Sequence, residues 1–127
     1  MRKIAVVTGA TSGIGQATAI KLAENGYDLV ITGRRAERLS ELEEKLRKIG
    51  ADVLSLCFDV RSFEQVKDNL GNLSGKWSDI DVLVNNAGGA LGKEPIQDGS
   101  IEDWDTMIDT NVKGLLYVTK TLLPKMC

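Results

Sequence analysis

With 127 residues, 43% of them hydrophobic and 27% charged, the chain has the make-up of a water-soluble globular protein and no low-complexity tract. A net charge of −2 with no basic stripe offers nothing to nucleic acid or an anionic membrane surface, and no apolar run approaches the ~20 residues of a membrane span. Histidine is absent, which excludes imidazole catalysis and His-ligated metal; Cys57 and Cys127, 70 positions apart, form no zinc motif and point to a reduced, cytoplasmic protein.

Apolar strand-like runs alternate with helical patterns. Ile4-Ala5-Val6-Val7 predicts a first strand, apolar on both faces as buried parallel strands are. Residues 13–25 predict a helix that stops near Asn25-Gly26. Leu29-Val30-Ile31 is a second strand. Residues 36–49 predict an amphipathic helix with Ala36, Leu39, Leu42, Leu46 and Ile49 on one face and Gly50 as its stop. Val53-Leu54-Ser55-Leu56 is a third strand. Ser62-Phe63-Glu64-Gln65 is a capping-box pattern opening a helix through about Leu70. Residues 80–84 predict a fourth strand and residues 86–99 a loop. Ser100 then caps a long helix through roughly Lys125, with Glu102, Asp103 and Asp105 where the helix dipole favours acid. Within it Leu115, Leu116, Val118, Leu122 and Leu123 read as core or interface. The β-α alternation implies an α/β fold, with a parallel sheet, right-handed crossovers and helices on both faces. No linker or composition shift divides residues 1–127, so one domain is expected.

The stretch Thr8-Gly9-Ala10-Thr11-Ser12-Gly13-Ile14-Gly15 follows the first strand directly and opens the first helix. Glycines there let the backbone turn tightly and approach a pyrophosphate, which then sits at the positive helix N-terminus. The spacing is G-x-x-x-G-x-G rather than G-x-G-x-x-G, and the alternative is a glycine-rich turn with no ligand. The strand–turn–helix context favours the phosphate reading. At the end of the second strand stand Gly33-Arg34-Arg35, with no Asp or Glu before Glu37. A carboxylate at that place bonds a ribose 2′-OH, whereas guanidiniums accept a 2′-phosphate, so NADP is expected over NAD. The alternative is a solvated Arg pair ahead of a helix.

Thr8 through Gly15 resembles the TGxxxGxG element of the short-chain dehydrogenases/reductases. Asp59-Val60 after the third strand, Asn85-Asn86-Ala87-Gly88 after the fourth, and Asn111 in "DTNVKG" match further elements of that family in order. The stretch "NNAGGALGKEPIQDGSIEDWDTMIDTNVKG" is similar to NADP-dependent 3-hydroxy acid dehydrogenases of the serine type. The resemblance implies a Rossmann-type sheet of strand order 3-2-1-4. It implies that Thr8, Gly9, Thr11, Ser12, Gly13, Ile14, Gly15, Arg34, Arg35, Asp59, Val60, Asn86, Ala87 and Gly88 bind the cofactor. Asp59 would contact the adenine, or else only cap its turn; Asn86 would brace the fourth strand and touch a ribose, or else only cap backbone. Asn111 would be the catalytic Asn that positions a water in a proton relay, with a solvent-facing Asn as the alternative.

The family's hydride transfer also uses a Ser and a Tyr-x-x-x-Lys pair. Tyr27 has Ile31 at the fourth position and Tyr117 has Thr121, and no Ser follows Asn111. The 127 residues by themselves are therefore expected to bind NADP and to be inactive, with a small hydroxy acid or carbonyl as the longer form's substrate. A non-catalytic NADP-binding half-domain, sensor or designed module is the other reading. An apolar fourth strand at the sheet edge, together with the long helix, predicts a homo-oligomer.

Overall fold

The computed structural model describes residues 2–87 and 99–126, without the side chains of Trp104 and Met107. Strand β1 (Lys3–Val7) leads into helix α1 (Gly13–Glu24), followed by β2 (Tyr27–Gly33), α2 (Ala36–Ile49), β3 (Val53–Cys57) and α3 (Phe63–Leu70). A short 3₁₀ turn at Gly75–Ser78 precedes β4 (Val82–Val84), and α4 (Ile101–Ile108) and α5 (Leu115–Met126) complete the order. The four strands pair in parallel in the order β3-β2-β1-β4. This is the order expected from the sequence.

Successive residues of a strand point to opposite faces, and here both faces are covered. On one side Ala5, Val7, Leu29 and Ile31 pack against Ala19 and Ala23 of α1 and Leu39, Leu42 and Leu46 of α2. On the other, Ile4, Val6 and Val30 pack against Val66 and Leu70 of α3 and Val118 and Leu122 of α5. A run such as Ile4–Val7 is continuously apolar because each residue serves one of two cores.

Helix ends obey the sequence signals. Gly50 closes α2 at φ 111°, a left-handed conformation that costs a residue without a Cβ little. Ser62 accepts from the Gln65 N–H and Ser100 from that of Asp103. The expected capping box at α3 is only half formed: the Gln65 side chain passes over Ser62 and accepts from the Asp59 N–H at 3.0 Å. It thereby ties α3 to the loop after β3.

Strand β2 starts at Tyr27, so Asp28 lies inside it, 4% exposed. Its carboxylate accepts from Arg2 Nε at 2.7 Å, Lys76 Nζ at 3.2 Å and the Asp52 N–H at 2.8 Å. These partners make a charge tolerable inside a strand. The expected long helix is not regular. Residues Asp109–Gly114 form a π turn between α4 and α5, closed on the outside by an Asp109–Lys113 ion pair. Of the apolar cluster read as core or interface, only Val118 and Leu122 are buried; Leu115, Leu116 and Leu123 are exposed. Among the described residues no helix is long and apolar enough to cross a membrane.

Burial alone pushes the Asp28 carboxyl up, but the Asp52 N–H, the Lys76 ammonium and the Arg2 guanidinium outweigh it and hold it below the usual range. A carboxyl lowered in the folded state stabilises the fold above its unfolded pKa of about 3.9, and that stability disappears as pH falls through the folded value. Urea unfolding from pH 7 down to about pH 2.5 should therefore show Asp28→Asn less stable than wild type at neutral pH, with the two converging in acid. Parallel curves would show that the charge of Asp28 contributes nothing.

Candidate functional site

The C-terminal ends of the strands meet where the order reverses, between β1 and β4. In open α/β sheets this is where ligands bind. Thr8 stands at that point with its side chain fully buried. Its N–H donates to the Val84 carbonyl at 3.0 Å. Its hydroxyl accepts from the N–H groups of Asn86 at 3.0 Å and Ala87 at 3.1 Å, and donates to Val84 O at 3.4 Å. One side chain thus joins the ends of two strands.

Gly9 turns the chain next at φ 61°, and a Cβ there would lie 2.8 Å from the Ala87 backbone. Asn86 Nδ2 donates to Gly9 O at 3.1 Å and to Ser12 Oγ at 3.0 Å. A Cβ on Gly15 would lie 2.2 Å from Gly9 O, so helix and loop touch backbone to backbone. Gly13 differs: nothing lies within 4 Å of where its Cβ would be. Ser12, at the N-cap of α1, donates its hydroxyl to Gly9 O and does not cap the helix. The first turn of α1 therefore faces open space without a side-chain cap, an arrangement that suits a phosphate.

Beside this loop lies a cavity of about 290 Å³. It brings together Gly9, Thr11, Ser12, Arg34, Arg35, Asp59, Val60, Ala87 and Asn111, all singled out from the sequence. Thr8, Gly15 and Asn86 lie beneath it as supports, and Gly13 and Ile14 stand at the first turn of α1, with Ile14 76% exposed. Gly88 lies outside the described residues. Thr32, Arg38, Phe58, Thr106 and Thr110 line the cavity too and were missed. The only sequence signal for any of them is the position of Arg38, in the first turn of the helix that follows Arg34 and Arg35.

Asp59 is held in its turn. Its carboxylate accepts from the Arg61 N–H at 2.9 Å and from Arg61 Nη2 at 2.7 Å. Burial pushes its carboxyl up, but the hydrogen bonds and charge of Arg61, with the charge of Arg34 added, hold it below the usual range. The turn-capping role of Asp59 is thus visible, and its carboxylate still lines the cavity. Asn86 likewise caps backbone, although it is the loop after β1 that it braces. Asn85 donates to Thr119 Oγ1 at 3.2 Å and ties β4 to α5. Asn111 sits in the π turn, which rests on Val60: a Cβ on Gly114 would come within 2.7 Å of Val60 Cγ2. Among the described residues no cluster of three or more His, Cys, Asp or Glu could hold a metal ion.

A parallel sheet of this order, with a glycine turn at the switch point and an uncapped helix N-terminus beside it, is the architecture of the dinucleotide-binding α/β folds. The chain belongs to the short-chain dehydrogenases, whose family model matches residues 3–127. It is 50% identical over 123 residues to the NADP-dependent 3-hydroxy acid dehydrogenase YdfG of Salmonella typhi, covering 97% of this chain and 48% of that protein. A solved structure, the closed form of serine dehydrogenase complexed with NADP+, is 46% identical with a TM-score of 0.89 over 96% of this chain and 48% of that one. An NAD+-bound xylitol dehydrogenase is 33% identical with a TM-score of 0.92 over 97% of this chain and 47% of that one. The chain thus spans about half the length of the relatives it matches.

Two substitutions separate support from surface. Thr8→Val keeps the shape but leaves two N–H groups without an acceptor, and urea unfolding should show a loss of about 1–3 kcal/mol. Gly15→Ala should lose about as much through overpacking, while Gly13→Ala should change stability by less than about 0.5 kcal/mol.

Proposed function

We propose that these residues form the NADP(H)-binding domain of a short-chain dehydrogenase/reductase, which moves hydride between NADP and a hydroxy acid or other small alcohol or carbonyl. The observation that carries the reading is the pair Arg34 and Arg35, which follows β2 and lines the cavity beside the glycine loop. Among the described residues neither makes an ion pair or a hydrogen bond, and no carboxylate occupies the place that would repel a 2′-phosphate. The names of the YdfG and serine dehydrogenase relatives, both NADP proteins, support it. The fold by itself does not decide the matter, since the xylitol dehydrogenase of the same shape is bound to NAD+.

Bound NADP supplies the hydride donor or acceptor. The open first turn of α1, with Gly13 and Ile14, holds the pyrophosphate, and Thr11 and Ser12 flank it. Arg34 and Arg35 hold the 2′-phosphate through charge-assisted hydrogen bonds. Asp59 and Val60 border the adenine, and Asn86 and Ala87 stand beside a ribose of the cofactor. Asn111 positions a water for proton transfer. Residues 1–127 contain no Tyr-x-x-x-Lys and no Ser after Asn111, so the acid–base step belongs to residues that this stretch lacks.

The protein is proposed to be cytoplasmic and a homo-oligomer. Ile108 at 50%, Val112 at 52% and Leu116 at 58% exposure leave an apolar stripe along α4, the π turn and α5, which supports association through this helix.

Titration with NADPH and NADH tests the cofactor. Arg34→Ala with Arg35→Ala should weaken NADPH binding about tenfold or more and leave NADH much less affected; equal loss of both would overturn the reading. Residues 1–127 alone should show no NADP-dependent turnover of a 3-hydroxy acid. Leu116→Lys should shift sedimentation toward the monomer, and a wild type that already sediments as a clean monomer at high concentration would rule out the oligomer.

A further inference from the structure

The chain has six arginines, and they fall into two groups. Arg2, Arg47 and Arg61 each pair with a carboxylate within 4 Å. Arg34, Arg35 and Arg38 have no ion pair or hydrogen bond among the described residues, and they stand together on the rim of one cavity. Arg34 and Arg35 precede α2, with Arg35 as its N-cap, and Arg38 stands in the first turn of that helix. Three like charges on the rim of one cavity repel one another, offset only in part by the charge of Asp59.

Helix geometry directs Arg38 toward the other two. Side chains on a helix lean toward its N-terminus, so Arg38, in the first turn of α2, leans back over the residues before it. There it lines the cavity with Thr32, Gly33, Arg34 and Arg35. The N-cap of that helix is Arg35, which makes no side-chain cap, so backbone donors of the first turn face the same space. Arg38 also borders an adjoining cavity of about 200 Å³ with Gln16, Glu41 and Lys45. There Glu41 and Lys45 bring opposite charges, whereas the side shared with Arg34 and Arg35 carries three guanidiniums and the carboxylate of Asp59.

We infer that Arg38 is a specificity-determining residue of the nucleotide site, a third guanidinium on the adenosine 2′-phosphate beside Arg34 and Arg35. The inference rests on the NADP reading and extends it to a residue outside the β2 turn. The carboxylate of the cavity, Asp59, is hydrogen-bonded to Arg61, which leaves the planar donors of the three other guanidiniums for one phosphate.

The test uses the purified protein, its Arg38→Ala and Arg38→Lys variants, and four ligands: NADPH, NADH, 2′-AMP and 5′-AMP. Arg38→Ala should weaken NADPH and 2′-AMP about tenfold. It should leave NADH and 5′-AMP within about twofold and the melting temperature unchanged. Arg38→Lys should recover part of the loss and keep part of the salt dependence. A wild type that prefers NADPH, with an Arg38→Ala variant that keeps the full preference, would overturn the inference and leave the NADP reading standing. A wild type with no preference for NADPH over NADH would overturn the NADP reading and this inference with it.

Discussion

The hydroxyl of Thr8 is the interaction on which the upper end of the sheet depends. Parallel strands end with backbone groups that have no further ladder to join, and at the switch point the neighbours β1 and β4 diverge to opposite faces. A fully buried hydroxyl that accepts from two N–H groups and donates to a carbonyl satisfies these groups. It also sets the distance between the strand ends. Gly9 can then turn against Ala87, Asn86 can reach Gly9 and Ser12, and Gly15 can press against the loop. The glycine loop is braced from beneath by polar groups with hydrogen-bond partners, and its outer surface is open at Gly13, whose Cβ position meets nothing within 4 Å.

Charge is arranged along the strand direction. At the starting end of the sheet, Arg2, Lys76, Asp28 and Asp52 neutralise one another, and Asp81 accepts from the Ile4 N–H at 2.8 Å. At the finishing end Arg61 is matched to Asp59, whose charge also acts on Arg34, while Arg34, Arg35 and Arg38 make no ion pair or hydrogen bond among the described residues. One end of the sheet is closed by its own ion pairs and the other presents positive potential to whatever enters. A near-neutral chain can thus hold a strongly polarised site.

Much of this was legible in the sequence. The α2 helix was clear because Leu39, Leu42 and Leu46 keep its period and Gly50 ends it. The glycine turn and the Arg pair were clear because their chemistry is local. The features that escaped depended on contacts across the fold. Asp28 looks like the end of a strand until Arg2, 26 residues away, and Lys76, 48 residues away, are seen beside it. Gln65 looks like half of a capping box until Asp59 claims it. Thr32, Phe58, Thr106 and Thr110 carry no motif and become site residues only because the cavity gathers them. The π turn at Asp109–Gly114 was hidden for another reason: hydrophobic pattern reports which residues are apolar, not how the hydrogen-bond ladder is stepped.

That π turn makes the helix after it sensitive to length. Each helical residue advances the side-chain direction by about 100°. A deletion within Asp109–Gly114 that restored the α ladder would turn α5 by that angle against α3. Val118 and Leu122 would leave the core, and exposed neighbours would be driven into it. Point substitutions here act locally, but the spacing between Ser100 and Val118 acts on the whole helix at once. Within this element, residue count is itself a structural variable, as firmly constrained as any side chain in the core.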